Sequence, residues 1–395
     1  MKLPAPKTFL SRFFAEPPLG WAQLWHKKIR LLVALTGIAF ADIMIFTMLG
    51  FKMSMFGGAT NLHKQLEGDL FLVSNRAEYL ADGQTFSRRH LYQAAAIDGV
   101  KSANPLYFSF KAWVNPWNKK ITNVAIIAFD PVHPVIDLPE VKGQLEQIKL
   151  PDQVLFDRLS HPNLGPVPEY FAQRKTITTE ISGRRIKVAG IFSLGSTIFI
   201  NGHIITSDWN YLRLFGSDSI DNLSLGILKL EPGADLQTVK RNIQTALPKD
   251  VEVMSHKEFI KSEEDFWAQV PGGILFNFGV VMGFIVGVVI VYEVLYADVN
   301  DHLAEYATLK AIGYSDIRLL MVVFQEGIIL AVLGFSPGLI GATGIYALLG
   351  HLTRIPVVMR IDIICQVFII TVFICLISAV IAMRKLQSAD PADVF

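Results

Sequence analysis

A lysine beside a serine or threonine can mark a phosphate-binding loop, because a glycine-rich turn ahead of the pair lets backbone N–H groups wrap the phosphates. Four such pairs occur, Lys7-Thr8, Lys101-Ser102, Lys175-Thr176 and Lys261-Ser262, and none follows a glycine. ATP binding of that type is excluded. The nine histidines are scattered and form no H-E-x-x-H helix, and no G-x-S-x-G elbow presents a serine nucleophile. The two cysteines, Cys365 and Cys375, share one apolar segment, which excludes a disulfide scaffold and a four-cysteine zinc site. Gly338, Gly341 and Gly344 also lie in an apolar run, so their spacing reads as helix packing rather than a dinucleotide loop. No catalytic, cofactor-binding or metal-binding constellation is found, and the expectation is a chain that is not an enzyme.

The residues that remain are polar or glycine positions inside apolar runs. Asp42 interrupts the first run near its middle, where an exposed carboxylate is expensive in hydrocarbon. It reads either as a polar lock or proton-linked site, or as a carboxyl facing a bundle and satisfied by Thr371 or a backbone group. Glu326 falls about two turns into the third run and Glu293 near the end of the second, both compatible with an interface. Gly279, Gly283 and Gly287 repeat every four residues along one helix face and predict a close helix–helix contact, within the protomer or between protomers. Pro337, flanked by Gly334 and Gly338, should break or kink the third run.

These positions need four apolar elements to hold them. The runs are Leu31–Phe51, Gly273–Tyr292, Leu319–Leu349 and Ile363–Met383, and about 20 residues at 1.5 Å rise cross a hydrocarbon core of about 30 Å. Four buried core helices of this kind would be unusual in a soluble domain. The composition agrees: hydrophobic residues reach 51% and charged residues only 18%, against about 25% in soluble domains. With 36 Lys+Arg and 35 Asp+Glu the formal charge is +1, so no basic footprint suggests a nucleic-acid partner.

The fold class expected is a membrane protein with an α-helical four-span region and a large α+β periplasmic domain between spans 1 and 2. The segments expected are a cytoplasmic amphipathic leader 1–30, a first span 31–51, the periplasmic domain with stalk helices 52–272, and a second span 273–297. There follow a cytoplasmic coupling loop 298–318, a third span 319–349, a short periplasmic loop 350–361, a fourth span 362–383 and a cytoplasmic tail 384–395. Lys2, Lys7, Arg12, Lys27, Lys28 and Arg30 outnumber Glu16 ahead of the first span and place both termini in the cytoplasm of an inner-membrane protein. Arg354 and Arg360 in the outer hairpin run mildly against that orientation. The first run is too long for a cleaved signal peptide and reads as an uncleaved anchor.

Within the domain, strands are expected at Asp69–Ser74, Leu106–Val114, Asn123–Phe129, Arg185–Ser193 and Leu223–Leu230. Helices are expected at Ser87–Ile97 and Asp235–Leu247, and loops at Asp130–Pro139 and His161–Pro168. Helix Ser255–Gln269 leads toward the second span, and Gly57–Glu67 is its candidate counterpart; the two are either coupling stalks or plain connectors.

In the loop between spans two and three, Leu303, Tyr306, Ala307 and Lys310 fall on one helix side, Gly313 suits a left-handed stop, and Ser315 suits an N-cap. The stretch reads as a simple return turn or as a docking knob for a cytoplasmic partner, helped by Glu305. It resembles the FtsX/MacB-type ABC permease family, whose pattern E-x-x-x-L-K/R-A-x-G-x-S/A is met by Glu305, Leu309, Lys310, Ala311, Gly313 and Ser315. Glu326, Gly334 and Gly338 match that family's third span, while Ala382, Ser388, Pro391 and Phe395 are a loose, shortened version of its C-terminus. The stretch from Pro18 to Arg30 and the first span are similar to the DevC branch, cyanobacterial permeases linked to glycolipid export.

The resemblance implies a homodimer in membrane lipid that binds no cofactor itself and receives a separate ABC ATPase, which binds the ATP. Force would pass by mechanotransmission to a periplasmic adaptor and a TolC-like outer-membrane channel, with a lipid or glycolipid as cargo. Alternatives are an FtsX-like signalling subunit that regulates a periplasmic hydrolase, and a lipoprotein-releasing permease.

Overall fold

A computed structural model describes residues 28–197, 199–313, 316–353 and 358–387. The chain divides into two compact units: Met1–Lys52 with Ile274–Leu349 and Val357–Phe395, and Met53–Gly273 with Gly350–Pro356. Among the described residues, four helices are long and apolar enough to cross a membrane.

The elements run in order as α1 (Lys28–Lys64), β1 (Leu70–Ser74), β2 (Phe86–Ser87), α2 (Arg88–Ala95), β3 (Val100–Val114) and β4 (Ile121–Phe129). Then come α3 (Pro139–Lys142), α4 (Leu145–Ile148), β5 (Gln153–Asp157), α5 (Val167–Ala172), β6 (Ile177–Ile181), β7 (Arg184–Phe192) and β8 (His203–Ser207). After these follow α6 (Asp208–Phe215), β9 (Asn222–Leu223), β10 (Leu225–Leu230), α7 (Leu236–Ala246), β11 (Val251–Ser255) and α8 (His256–Gln269). The chain ends its described part with α9 (Pro271–Asp301), α10 (Leu303–Ala311), α11 (Asp316–Thr353) and α12 (Ile361–Gln387).

The α+β domain is built on a mixed nine-stranded sheet of order β11-β1-β10-β3-β4-β8-β5-β7-β6. Most pairs are antiparallel, while β4–β8 and β5–β7 are parallel. Strand β3 is long enough to serve two neighbours on one side. Its first half pairs with β10, and Trp113 and Val114 at its end pair with Ile181 and Glu180 of β6. That second pairing closes β3, β4, β8, β5, β7 and β6 into a ring.

Both sheet faces are covered. Leu70, Leu72, Ile126 and Ala128 belong to one buried cluster, and their strand neighbours Phe71, Val73, Ile127 and Phe129 to the other. Alternate side chains point to opposite faces, so a sheet buried on both must be apolar at every position. This explains the continuous runs DLFLVS and NVAIIAF. Helix α7 covers the first face with Val239 and Ile243, starting where the Asp235 carboxylate accepts the Thr238 N–H at 2.8 Å. Leu62 of α1 and Phe259 of α8 cover the second.

Several expected boundaries are corrected. The helix of the first span continues through Gly57 and Gly58 to Lys64, into the segment read as a candidate stalk, and Met55 and Leu62 are buried beyond the apolar run. Leu223–Leu230 is not one strand: Leu223 pairs with Phe86 of β2, whereas Leu225 onward pairs with β3. Between them the Ser224 hydroxyl accepts from the Phe108 N–H at 3.0 Å. The expected loop 161–168 contains a 3-10 turn and the start of α5. Pro337 does not break the third span, and α11 runs unbroken through it. The proline withholds the N–H that Leu333's carbonyl would receive, while the neighbouring Ser336 hydroxyl donates to Val332 O at 3.3 Å. The leader 1–27, Ser315 and the tail from Ser388, with Pro391 and Phe395, lie outside the described residues.

Candidate functional site

Helix α1 is held by glycine faces on its neighbours. A Cβ on Gly279 would stand 2.6 Å from Met48 Cγ, one on Gly283 2.7 Å from Ile45 Cγ1, and one on Gly287 3.2 Å from Ala41 Cβ. The every-fourth-residue glycines of α9 thus face α1 of the same chain, and Gly287 also meets Ile374 of α12. Helix α11 meets α1 in the same manner: a Cβ on Gly334 would lie 2.7 Å from Ile38 Cβ, and one on Gly338 2.8 Å from Asp42 Cβ. Small residues let helix backbones approach where no hydrophobic drive between helices exists.

Asp42 is fully buried at this contact. Its Oδ1 accepts the Thr371 hydroxyl of α12 at 2.6 Å, while its Oδ2 has no hydrogen-bond partner. One carboxylate therefore ties α1 to α12, against the glycine face of α11, with half of its capacity unused. Two further cross-links are polar: Tyr346 donates to the Phe46 carbonyl, and Ser378 donates to Val288 O at 2.9 Å.

The second locus surrounds α10. Arg30, near the start of α1, reaches Asp301 at the end of α9 at 2.8 Å and approaches the buried Asp298 at 3.8 Å. Tyr306 turns inward and is buried, with a hydroxyl that has no partner. Burial, then the charges of Glu326 and Asp298, push the Tyr306 phenol well above its ordinary range, so it stays a neutral donor. Glu326 is 0% exposed within the bundle, and neither carboxylate oxygen has a partner. Opposite this buried side, Glu305 is exposed and Ile312 is 72% exposed. Gly313 has φ +103°, the left-handed region that ends a helix without a Cβ penalty. Leu309, Lys310 and Ala311 form the last turn of α10.

The knob is thus a short helix with an acid and an isoleucine outward and a tyrosine inward, next to an ionic pair joining α1 and α9. Arg30 and Asp301 were not singled out by sequence, although Arg30 sits in the basic cluster that set the orientation. Their partnership joins residues 271 positions apart (301 − 30). Among the described residues, no three His, Cys, Asp or Glu side chains stand close enough to hold a metal ion.

Residues 277–391, spanning all but the first turns of α9 through α12, match the family described as FtsX-like permease C-terminal. The match covers α10 and three of the four apolar helices, and this part of the chain is similar to that family. No curated protein matches the chain. Among solved structures, the periplasmic region of MacB from Actinobacillus actinomycetemcomitans aligns with 52% of this chain and 96% of its own length, at 11% identity and TM-score 0.35. The extracellular domain of the noncanonic ABC-type transporter YknZ from Gram-positive bacteria aligns with 48% of this chain and 99% of its own, at 12% identity and TM-score 0.30. At those scores neither likeness bears on mechanism.

Proposed function

We propose that this FtsX-like chain is the transmembrane subunit of an ABC-type export system, working as a homodimer with a separate cytoplasmic ATPase. The reading places the large domain in the periplasm, both termini in the cytoplasm, and an adaptor and TolC-like channel beyond. A lipid or glycolipid is the cargo. The chain itself relays force. The observation that carries this is the knob: α10 exposes Glu305, the turn after it exposes Ile312, Tyr306 is buried, and the Arg30–Asp301 pair joins α1 to α9 just before it. Movement of a docked partner would pass into α1, a single helix whose 37 residues belong to both compact units.

The test is affinity purification of the full chain in mild detergent with its ATPase. Glu305→Lys reverses an exposed charge and should lower recovery of the ATPase about tenfold, as expected where an interface charge is turned against its partner. Gly313→Pro should do the same, because proline cannot adopt φ +103°. Both variants should insert into the membrane normally. Normal recruitment and stimulation of the ATPase by both would refute the docking role. Loss of an extracellular lipid in a deletion strain supports export; chained or lytic cells support hydrolase control, and lipoproteins retained in the inner membrane support lipoprotein release.

A further inference from the structure

The domain contains a cavity of about 270 Å³ that the coupling role does not use. It lies between the last turns of α1, helix α8 and the sheet, with walls that include Leu62, Leu80, Phe108, Phe110, Ile200 and Trp267. An engineered apolar cavity of about 150 Å³ holds a benzene molecule, so this one has room for a longer apolar body. At its rim Phe199 stacks on Trp267 with centroids 4.4 Å apart, although Phe199 itself is 54% exposed.

One part of the wall is polar. His63 is 1% exposed, lines the cavity, and has no hydrogen-bond partner on either ring nitrogen. Its Nε2 stands 3.2 Å from Glu263 Oε2, off the direction that a hydrogen bond requires. Glu263 thus faces the Nε2 side of the ring, which leaves Nδ1 as the buried nitrogen with no partner, and such a group calls for a ligand or a water. Glu263 is already engaged: it accepts the Leu80 N–H at 3.0 Å and the Trp267 indole N–H at 2.8 Å. Burial pushes its carboxyl up, but His63 and these donors outweigh that and hold it below the ordinary range, so it stays anionic. His203, on another part of the lining, stands 3.5 Å from Asp157, a fully buried acid behind the wall. An anionic head group would meet these charges. A hydroxyl would not, and it can donate to a neutral imidazole nitrogen or accept from a protonated one.

We propose that this cavity is a binding site for an uncharged amphiphile, with its apolar body among Leu62, Phe108, Phe110 and Trp267 and a hydroxyl head at Nδ1 of His63. The proposal goes beyond the coupling role and does not need an ATPase. The probe is a medium-chain fatty alcohol carrying a diazirine, with the matching fatty acid as comparison. Each is photolysed with the full chain in lipid nanodiscs, and adducts are mapped by mass spectrometry.

The alcohol should label peptides containing Ala59, Phe199 and Trp267, and the acid should label them about tenfold less, equivalent to roughly 1.4 kcal/mol. Ala59→Phe and Ala81→Phe each place a ring in the cavity from a different wall and should reduce those adducts by a similar factor. Labelling of the transmembrane peptides, which reports partition into lipid, should stay constant and shows that the variants are folded and inserted. Adducts confined to transmembrane peptides, or undiminished in both filled variants, would overturn the site. Equal labelling by alcohol and acid would overturn the hydroxyl head. Failure here leaves ATPase recruitment untouched, and failure of recruitment leaves the labelling pattern unchanged.

Discussion

The best-engaged buried polar groups of the sheet domain differ from the buried carboxylates of the spans, although the domain also holds partnerless nitrogens at His63 and His203. In the domain, Asn210 donates to the carbonyls of Ile148 and Leu150, both at 3.0 Å, and accepts the Asp152 N–H at 2.8 Å. Asp157 accepts the N–H groups of Leu159, Leu194 and Gly195 at 3.0, 3.1 and 2.8 Å. In the spans, Asp42 uses one oxygen and Glu326 neither. Packing differs too: the sheet is filled by Trp113, Tyr107 and Phe129, whereas the spans approach one another through glycines. Saturated polar groups fix one structure, while unsaturated ones in hydrocarbon are expensive unless they have another use. The spans hold carboxylate oxygens that can still take a partner, and in the domain the comparable groups are Nδ1 of His63 and Nδ1 of His203.

The largest test of this contrast is Asn210→Ala, which abandons several buried backbone groups at once. It should destabilise the domain by about 2–4 kcal/mol, read from thermal unfolding and from hydrogen exchange in β5 and β8. A smaller cost would mean that the domain's polar core is no better engaged than the spans. Next is Gly338→Val, which drives a side chain into Asp42 and the backbone of Ala39 and should cost about 2 kcal/mol by overpacking, measured by resistance of the bundle to denaturing detergent. A neutral result would show that α1 and α11 can separate freely.

Asp42→Asn should be milder. The amide oxygen still accepts from Thr371, so stability should change by less than about 1 kcal/mol. Export is then the informative measurement, since full activity would exclude any part for ionisation at this residue. The smallest effect concerns Glu67, which Lys142 first and Lys229 second hold down from 4.5 to about 2. A carboxyl lowered by folding contributes stability above its unfolded value, and that share is lost as pH falls from about 4.5 through about 2. Lys229→Met should flatten this part of the pH–stability curve by a few tenths of a kcal/mol, because the pair is partly exposed.

Much of the secondary structure was legible because it is local. Ser87, Asp235 and Ser255, the residues at which those helices were expected to begin, each accept a backbone N–H of the first turn. Strands β5, β6, β8 and β11 escaped notice for different reasons. β6 alternates over ITTEI and β11 over VEVMS, weak signals in runs of 5 residues each. β8, HIITS, is buried throughout despite three polar residues, because neighbours on both sides satisfy it. At the knob, the family pattern pointed to Glu305 and Gly313, yet nothing local signalled that Tyr306 would turn inward beside Glu326.

Composition and run length alone determined that the chain has four spans and one large insert, and that it has no phosphate-wrapping loop of its own. Those properties sum over neighbouring residues, so no knowledge of folding is needed to read them. Tertiary structure decided which helix the glycines of α9 and α11 oppose, and that His63 would meet Glu263 at 3.2 Å across 200 positions (263 − 63). Such pairings follow from many weak contacts settled together, and no single residue carries them.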